Sequence, residues 1–231
     1  MKRAKKKRKL KVKKHVLVFF ILLFIVYLLY LFFREFIGFD IKNIYVYGNK
    51  LLKDQEIIDQ ISFNNYPNFY TTSSLKIKKK IKENEIVKDV KVRKVFFQKL
   101  KIYITEYNVL FFNSQTEEYV LENGKRIKNI TDDWDIPTLI NYVPSEQYKS
   151  LLKKMNKIDK SVIDKVSEIK YDPNEVDPDR FLLFMNDQNY VYLTLTKFDL
   201  LNKYDEAVKQ LEGKKGILYL DSGNYFEIKS S

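Results

Sequence analysis

The chain of 231 residues carries 42 Lys and Arg against 30 Asp and Glu, a formal net charge of +12, and contains no cysteine. Without cysteine there is no disulfide, no thiolate nucleophile and no thiolate-ligated metal site. Ten of the basic residues fall in the first fourteen positions, leaving 32 against 30 in the remainder, so the folded part is expected to present no field for a polyanion such as nucleic acid.

The opening run MKRAKKKRKLKVKK is followed by eighteen uncharged residues from Val16 to Phe33. At about 1.5 Å per residue a helix of that length spans about 27 Å, close to the hydrocarbon core of a bilayer. A secretory signal has a shorter apolar segment and a small-residue cleavage site, and Leu31-Phe32-Phe33-Arg34-Glu35-Phe36 offers none. Residues 15–35 are therefore expected to form one permanent membrane-spanning helix. The positive-inside rule then places the basic tail, residues 1–14, in the cytoplasm and residues 36–231 on the other side.

Beyond the span, FDIKNIYVYGN alternates from Phe39 and stops at Gly48-Asn49, which reads as a strand and a turn with φ > 0 at the glycine. Leu52, Ile57, Ile58 and Ile61 recur at helical spacing and predict a helix over about Lys53 to Ser62. A loop around Pro67 leads to a second helix, capped by Ser73 or Ser74 and carrying Leu75, Ile77 and Ile81. Val87, Val90, Val92 and Val95 form one loosely alternating strand, and Leu100, Ile102 and Ile104 a second. The order to Tyr107 is β-α-α-β-β, the POTRA arrangement of two helices on one face of a small mixed sheet.

After Glu106 the pattern changes to short strands with turn punctuation. Asn123-Gly124 predicts a type I′ hairpin, Pro137 in DIPTLIN marks a linker, and Leu151, Leu152 and Met155 lie on a helix over about Glu146 to Asn156. VSEIKY, RFLLFMN and YVYLTL read as strands, Phe198, Leu201, Val208 and Leu211 as one face of a single helix, and GILYL and NYFEI as a closing pair around Asp221-Ser222-Gly223. Trp134, among Asp132, Asp133 and Asp135, is expected to pack under this β domain. The predicted fold class is α+β: a transmembrane helix, a POTRA-type domain over 36–107, then a mostly antiparallel β domain with flanking helices over 108–231.

Catalytic chemistry finds little footing. The single histidine, His15, sits at the mouth of the span, so no histidine triad or histidine metal site can form in the large domains. Ser73 to Lys76 and Ser150 to Lys153 match Ser-x-x-Lys, but no Lys-Thr-Gly partner accompanies them and a helix cap or surface helix explains each. Asp172, Glu175, Asp177 and Asp179 lack the glycine and terminal glutamate of a calcium loop. No catalytic, cofactor or metal residue is assigned.

The order of these elements resembles the DivIB/FtsQ family of bacterial cell-division proteins over the whole chain. Val46-Tyr47-Gly48-Asn49 is similar to the family's V-x-G-N, residues 87–93 followed by Leu100, Ile102, Ile104 and Glu106 to its paired strands, and GILYLDSGNYFE to its last two strands; Phe97 stands where the family usually has proline. The resemblance implies a non-enzymatic division scaffold in the cell membrane at the septum. Its implied partners are FtsL-like and DivIC/FtsB-like coiled-coil membrane proteins and, through them, the septal peptidoglycan synthase. A lone POTRA domain of an export or envelope-assembly component is the alternative, and an extracellular wall enzyme a third.

NYFEI is further expected to be a sheet edge, and an edge with unpaired N–H and C=O groups is a template for strand addition. From Gly216 to Phe226 the only charge is Asp221, with no proline. Alternation sends about half of the apolar side chains here to the core. The candidate docking residues are Ile217, Tyr219, Leu220, Ser222, Gly223, Tyr225 and Phe226, and the resemblance implies partner binding around Leu220, Ser222, Gly223, Tyr225 and Phe226.

Overall fold

The computed structural model describes residues 2–37, 39–62, 67–96, 98–128 and 135–228, with side chains from residue 14 onward except 35–37. The expectations for Asp132, Asp133 and Trp134 and for the turn at Phe97 lie outside the described residues. Helix α1 (Lys2–Ile37) contains the stretch Lys14–Arg34, whose mean hydropathy of 3.1 and length suit a membrane crossing. Its apolar side chains stand exposed all round the helix, the pattern of a segment whose solvent is lipid.

The chain divides into two compact units, Met1–Thr105, which includes α1, and Glu106–Ser231. In the first, β1 (Asn43–Tyr47), α2 (Asp54–Ile61), α3 (Ser74–Lys82), β2 (Val87–Val95) and β3 (Lys99–Glu106) follow the expected β-α-α-β-β order. The strands lie β1-β3-β2, with β1 parallel to β3 in a register running from Asn43 opposite Lys99 to Tyr47 opposite Tyr103. Ile57 and Ile61 of α2 and Ile77 and Ile81 of α3 close over Leu100, Ile102 and Ile104. Ser73 caps α3, its Oγ accepting from the Lys76 amide at 3.4 Å. Leu75 departs from the expected apolar face and is 79% exposed, because it lies about 200° around the helix from Ile77. Gly48 has φ +86°, and a Cβ there would stand 2.4 Å from the Ile104 carbonyl oxygen, so both backbone and neighbour require glycine.

The second unit is one nine-stranded sheet. Its strands are β4 (Val109–Asn113), β5 (Glu118–Leu121), β6 (Arg126–Ile127), β7 (Thr138–Leu139), β8 (Val166–Tyr171), β9 (Arg180–Met185), β10 (Tyr190–Thr194), β11 (Gly216–Tyr219) and β12 (Tyr225–Ile228). They lie in the order β12-β11-β10-β9-β8-β7-β4-β5-β6. The β4–β7, β7–β8 and β10–β11 pairs are parallel and the others antiparallel. Helices α4 (Ser145–Met155), α5 (Lys160–Ile163) and α6 (Tyr204–Lys209) and a 3₁₀ helix, Leu195–Lys203, join a core built on Phe111, Leu151, Phe181, Leu183, Val191 and Phe198.

Three expectations fail in this unit. DIPTLIN is no linker: the buried Pro137 accepts the Phe112 amide at 2.9 Å and delivers Thr138–Leu139 to the middle of the sheet, between β4 and β8. At Asn123-Gly124 only the glycine has positive φ, +79°, whereas a type I′ turn needs it at both central residues. The Gly124 amide bonds to the Leu121 carbonyl at 2.8 Å and the Leu121 amide to the Lys125 carbonyl at 2.9 Å, a three-residue loop closed by the glycine. The single helix expected through Leu211 is a 3₁₀ segment followed by α6. The backbone is non-helical at Lys197, and Phe198 and Leu201, three apart and both buried, fit the 3₁₀ period before the chain enters α6 at the buried Tyr204.

Candidate partner-binding edge

Strand β11 begins at Gly216, whose amide donates to the buried Asn189 Oδ1 at 3.0 Å. Asn189 is itself held by Tyr204 and Asp187: its Nδ2 donates to the Tyr204 hydroxyl at 3.2 Å and to Asp187 Oδ2 at 3.1 Å, and the hydroxyl donates to Asp187 at 2.9 Å. Burial, then the hydrogen bond to Asp187, pushes the Tyr204 phenol well above its usual range and keeps it a donor. A Cβ on Gly216 would stand 1.9 Å from the Glu227 carbonyl oxygen. This close approach lets β12 lie against β11, Leu218 opposite Phe226 and Tyr219 opposite Tyr225.

The connecting turn is fastened from below. Asp221 Oδ1 accepts from the Ser222 amide at 2.8 Å and its Oδ2 from Arg180 Nε at 2.9 Å, while Lys197 Nζ donates to the Asp221 carbonyl at 2.8 Å. Arg180 also reaches Asp172 at 3.3 Å and lies 3.6 Å over the Tyr192 ring. Asn224, with φ +55°, takes the left-handed position that returns the chain into β12.

Alternation sorts the seven candidates onto different surfaces. Leu220 is buried and Phe226 packs against the core. Ser222 and Gly223 are exposed in the turn. Ile217, Tyr219 and Tyr225 share the opposite face of the sheet, where Tyr192 stacks on Tyr219 at 5.4 Å and Tyr219 on Tyr225 at 4.6 Å. Desolvation within this stack and a 3.0 Å hydrogen bond to Glu227 raise the Tyr219 phenol, which stays neutral. Tyr225 ends the ladder 51% exposed. Among the described residues no strand lies on the outer side of β12.

Sequence reasoning missed Arg180 and Tyr192, which extend the ladder inward, and Ile228, exposed at the rim. Tyr192 was legible only as one beat of an alternating strand, and its meeting with Tyr219 depends on a parallel register. The acidic loop serves structure: Asp172 pairs with Lys170 and Arg180, Asp177 accepts from Thr194 Oγ1 at 3.2 Å, and Asp179 from Gln147 Nε2 at 3.1 Å. The described residues include no cluster of three His, Cys, Asp or Glu able to hold a metal. What the edge can do chemically is pair a strand and seat an apolar side chain beside Tyr225.

Two family models match this chain: "POTRA domain, FtsQ-type" over residues 39–107 and "Cell division protein FtsQ/DivIB, C-terminal" over 111–222, so β12 lies beyond the second. The cell division protein DivIB of Bacillus subtilis is 31% identical over 97% of this chain and 88% of its own length. DivIB of Listeria monocytogenes is 27% identical over 96% and 85%. A solved structure of the major extracytoplasmic domain of DivIB from Geobacillus stearothermophilus covers 47% of this chain and 96% of its own, at 24% identity and a TM-score of 0.39. With relatives over nearly its full length and both models in register with its two units, the chain belongs to the DivIB/FtsQ family of cell-division proteins.

Proposed function

We propose that the chain acts in division as a non-enzymatic scaffold at the septum, anchored by α1 with residues 1–14 in the cytoplasm and both units outside. Strand β12 pairs with a strand of a DivIC- or FtsB-like coiled-coil membrane protein. An FtsL-like protein joins the same assembly, which supports the septal peptidoglycan synthase. The observation that carries this reading is the outer edge of β12, unpaired among the described residues and flanked by the aromatic Tyr225, at one end of a sheet whose other end is the two-residue β6. Arg126 on β6 pairs with Glu118 at 3.7 Å, and shortness and charge are how natural sheets blunt an edge. Strand β12 is twice as long, and its one charge, Glu227, is engaged by the Tyr219 hydroxyl at 3.0 Å.

The partner site is tested by titrating the chain and its Tyr225→Ala variant with the exported part of the DivIC-like protein. Loss of affinity with an unchanged circular dichroism spectrum supports the site; unchanged affinity moves it elsewhere. Orientation is tested by protease added to intact protoplasts, which should digest both units and spare the tail. A fluorescent fusion should gather at midcell during constriction, and uniform membrane labelling would remove the septal assignment.

A further inference from the structure

Three segments distant in sequence meet where the chain leaves the span. The Phe39 carbonyl accepts the Phe69 amide at 2.6 Å, the Ile41 amide donates to the Pro67 carbonyl at 3.0 Å, and the Lys42 amide to the Gln98 carbonyl at 2.9 Å. Between them opens a cleft of about 670 Å³ whose rim carries Lys42, Lys94 and Lys99 and whose walls are Phe39, Phe69 and Phe96. Tyr70 packs edge-on against both Phe39, at 5.6 Å, and Phe69, at 5.2 Å. Phe96 is 87% exposed, an unusual place for a phenylalanine in water.

None of the three lysines pairs with an acid among the described residues. Lys94 Nζ instead donates to the Tyr70 carbonyl at 3.3 Å and lies 5.4 Å over the Phe69 ring. Desolvation lowers its pKa from the usual lysine value, as befits a cation without a counter-ion. The charge is regional: residues 39–107 hold 14 Lys and Arg against 8 Asp and Glu, a net of +6, while residues 108–231 hold 17 against 21, a net of −4. The near-neutral total read from the sequence hides this division.

Covalent connection fixes where the cleft can be. Phe39 follows Ile37, the last residue of α1, by two positions, so its Cα lies within about 7.6 Å of the helix end. Lys42 is five positions on and within about 18 Å. Aromatic rings belong at the membrane–water interface, and cations are drawn to anionic headgroups within about a Debye length, near 10 Å. We infer that this cleft is a binding site for the phosphate headgroup of an anionic phospholipid, docking the first unit onto the bilayer its own span crosses. The lysines meet the phosphate, and Phe39 and Phe96 enter the glycerol and upper acyl region. The inference rests on the reading of α1 as a span and is indifferent to which leaflet the unit faces.

The absence of cysteine gives a clean test. Full-length Phe96→Cys carries a single fluorophore and is reconstituted into phosphatidylcholine vesicles with or without phosphatidylglycerol, each doped with a nitroxide-bearing lipid. Leu75→Cys, on α3 outside the cleft, is the reference. Quenching at position 96 should exceed that at 75 and rise with phosphatidylglycerol. Changing one of Lys42, Lys94 or Lys99 to Gln should lower the docked-to-undocked ratio about fivefold, and all three together about a hundredfold. Lys149, Lys153 and Lys154 changed to Gln in the second unit should alter nothing. Quenching independent of phosphatidylglycerol, or kept in the triple variant, overturns the inference. Competition by soluble glycerol phosphate also overturns it, in favour of a free-phosphate site. Circular dichroism checks each variant, and the single changes carry the test if the triple variant misfolds. Flotation in alkaline carbonate reports the span separately: chains that float with position 96 unquenched sink the cleft alone, and chains that fail to float sink the span reading.

Discussion

Among the described residues, the first unit leaves a sheet face uncovered and the second leaves a sheet edge. In the first, the face away from α2 and α3 carries Tyr47 stacked on Tyr103 at 5.2 Å, with Arg93 5.8 Å over Tyr103 and Lys101 6.0 Å over Tyr47. In the second, β12 closes nine strands, and no strand lies on its outer side among the described residues. A bare face offers side chains, and here they are cationic and aromatic. A bare edge offers backbone groups, which any extended segment can pair and whose selectivity comes from the rings beside it. The formal charges are +6 over residues 39–107 and −4 over residues 108–231.

The hardest blow to that comparison is a glycine in each unit. Gly48→Val places a Cβ 2.4 Å from the Ile104 oxygen at φ +86°, and Gly216→Val places one 1.9 Å from the Glu227 oxygen. Each should cost its own unit about 3 kcal/mol. Limited proteolysis should release a nicked first unit and an intact second from Gly48→Val, and the reverse from Gly216→Val, together with loss of amide protection along β12. If either variant weakens both units equally, residues 39–107 and 108–231 fold as one cooperative body and the contrast between them has no independent basis.

Much of the fold was legible because its elements repeat at a clean period. Leu100, Ile102 and Ile104 alternate and are buried, and Ile77 and Ile81 are one helical turn apart and buried. Strand β7 was not legible, since two residues between parallel neighbours have no period to read. The 3₁₀ stretch was mistaken for an α-helix although the interval of three between the buried Phe198 and Leu201 was present. At the candidate site, edge position followed from the sequence, whereas the face each side chain takes needed the register that pairs Tyr219 with Tyr225. The lysine cleft was invisible because positions near 42, 69 and 96 meet only after folding.

Alanine at Tyr225 and at Phe226 should separate recognition from folding within one strand. Tyr225 is half exposed at the end of the ladder, so its loss should weaken partner binding by at least about 2 kcal/mol and leave the melting temperature unchanged. Phe226 packs against the core of the second unit. Its truncation should cost about 1–3 kcal/mol of stability, with binding of the folded fraction close to that of the parent. Calorimetric titration beside thermal unfolding reads both. The opposite assignment would mean that β12 presents its other face to the partner.

A smaller effect is expected at Arg180, which joins Asp172, Asp221 and the Tyr192 ring and is largely buried, as is Asp221. Arg180→Ala should cost about 1–2 kcal/mol, measured by urea unfolding of the second unit, because two carboxylates lose a charged donor. Arg180→Lys should recover only part of it, since an ammonium cannot reach both acids and stack flat on Tyr192. If lysine restores full stability, a point charge at position 180 is enough to hold the turn and the planar fork is irrelevant.

The smallest expected effect is a pH dependence confined to the first unit. Asp89 on β2 accepts Lys82 Nζ at 3.0 Å and Lys78 Nζ at 3.3 Å from α3. Hydrogen bonding from Lys82, then from the Val90 amide and Lys78, lowers its carboxyl to about 2. A folded-state value below the unfolded one means the proton binds the unfolded chain more readily. The stabilisation is therefore complete above the unfolded value, near 4, and fades as pH falls toward 2. The site is fully exposed, so salt should screen it. Asp89→Asn should lower the melting temperature of the first unit slightly at neutral pH and low salt, and the gap from the parent should shrink as pH falls from 4 through 2 while the second unit shows none. In carbon-detected titration Asp89 should be among the last surface carboxylates to protonate. A gap undiminished between pH 5 and pH 2, or equal in both units, would assign the effect to packing of the new amide and not to the lysine pair.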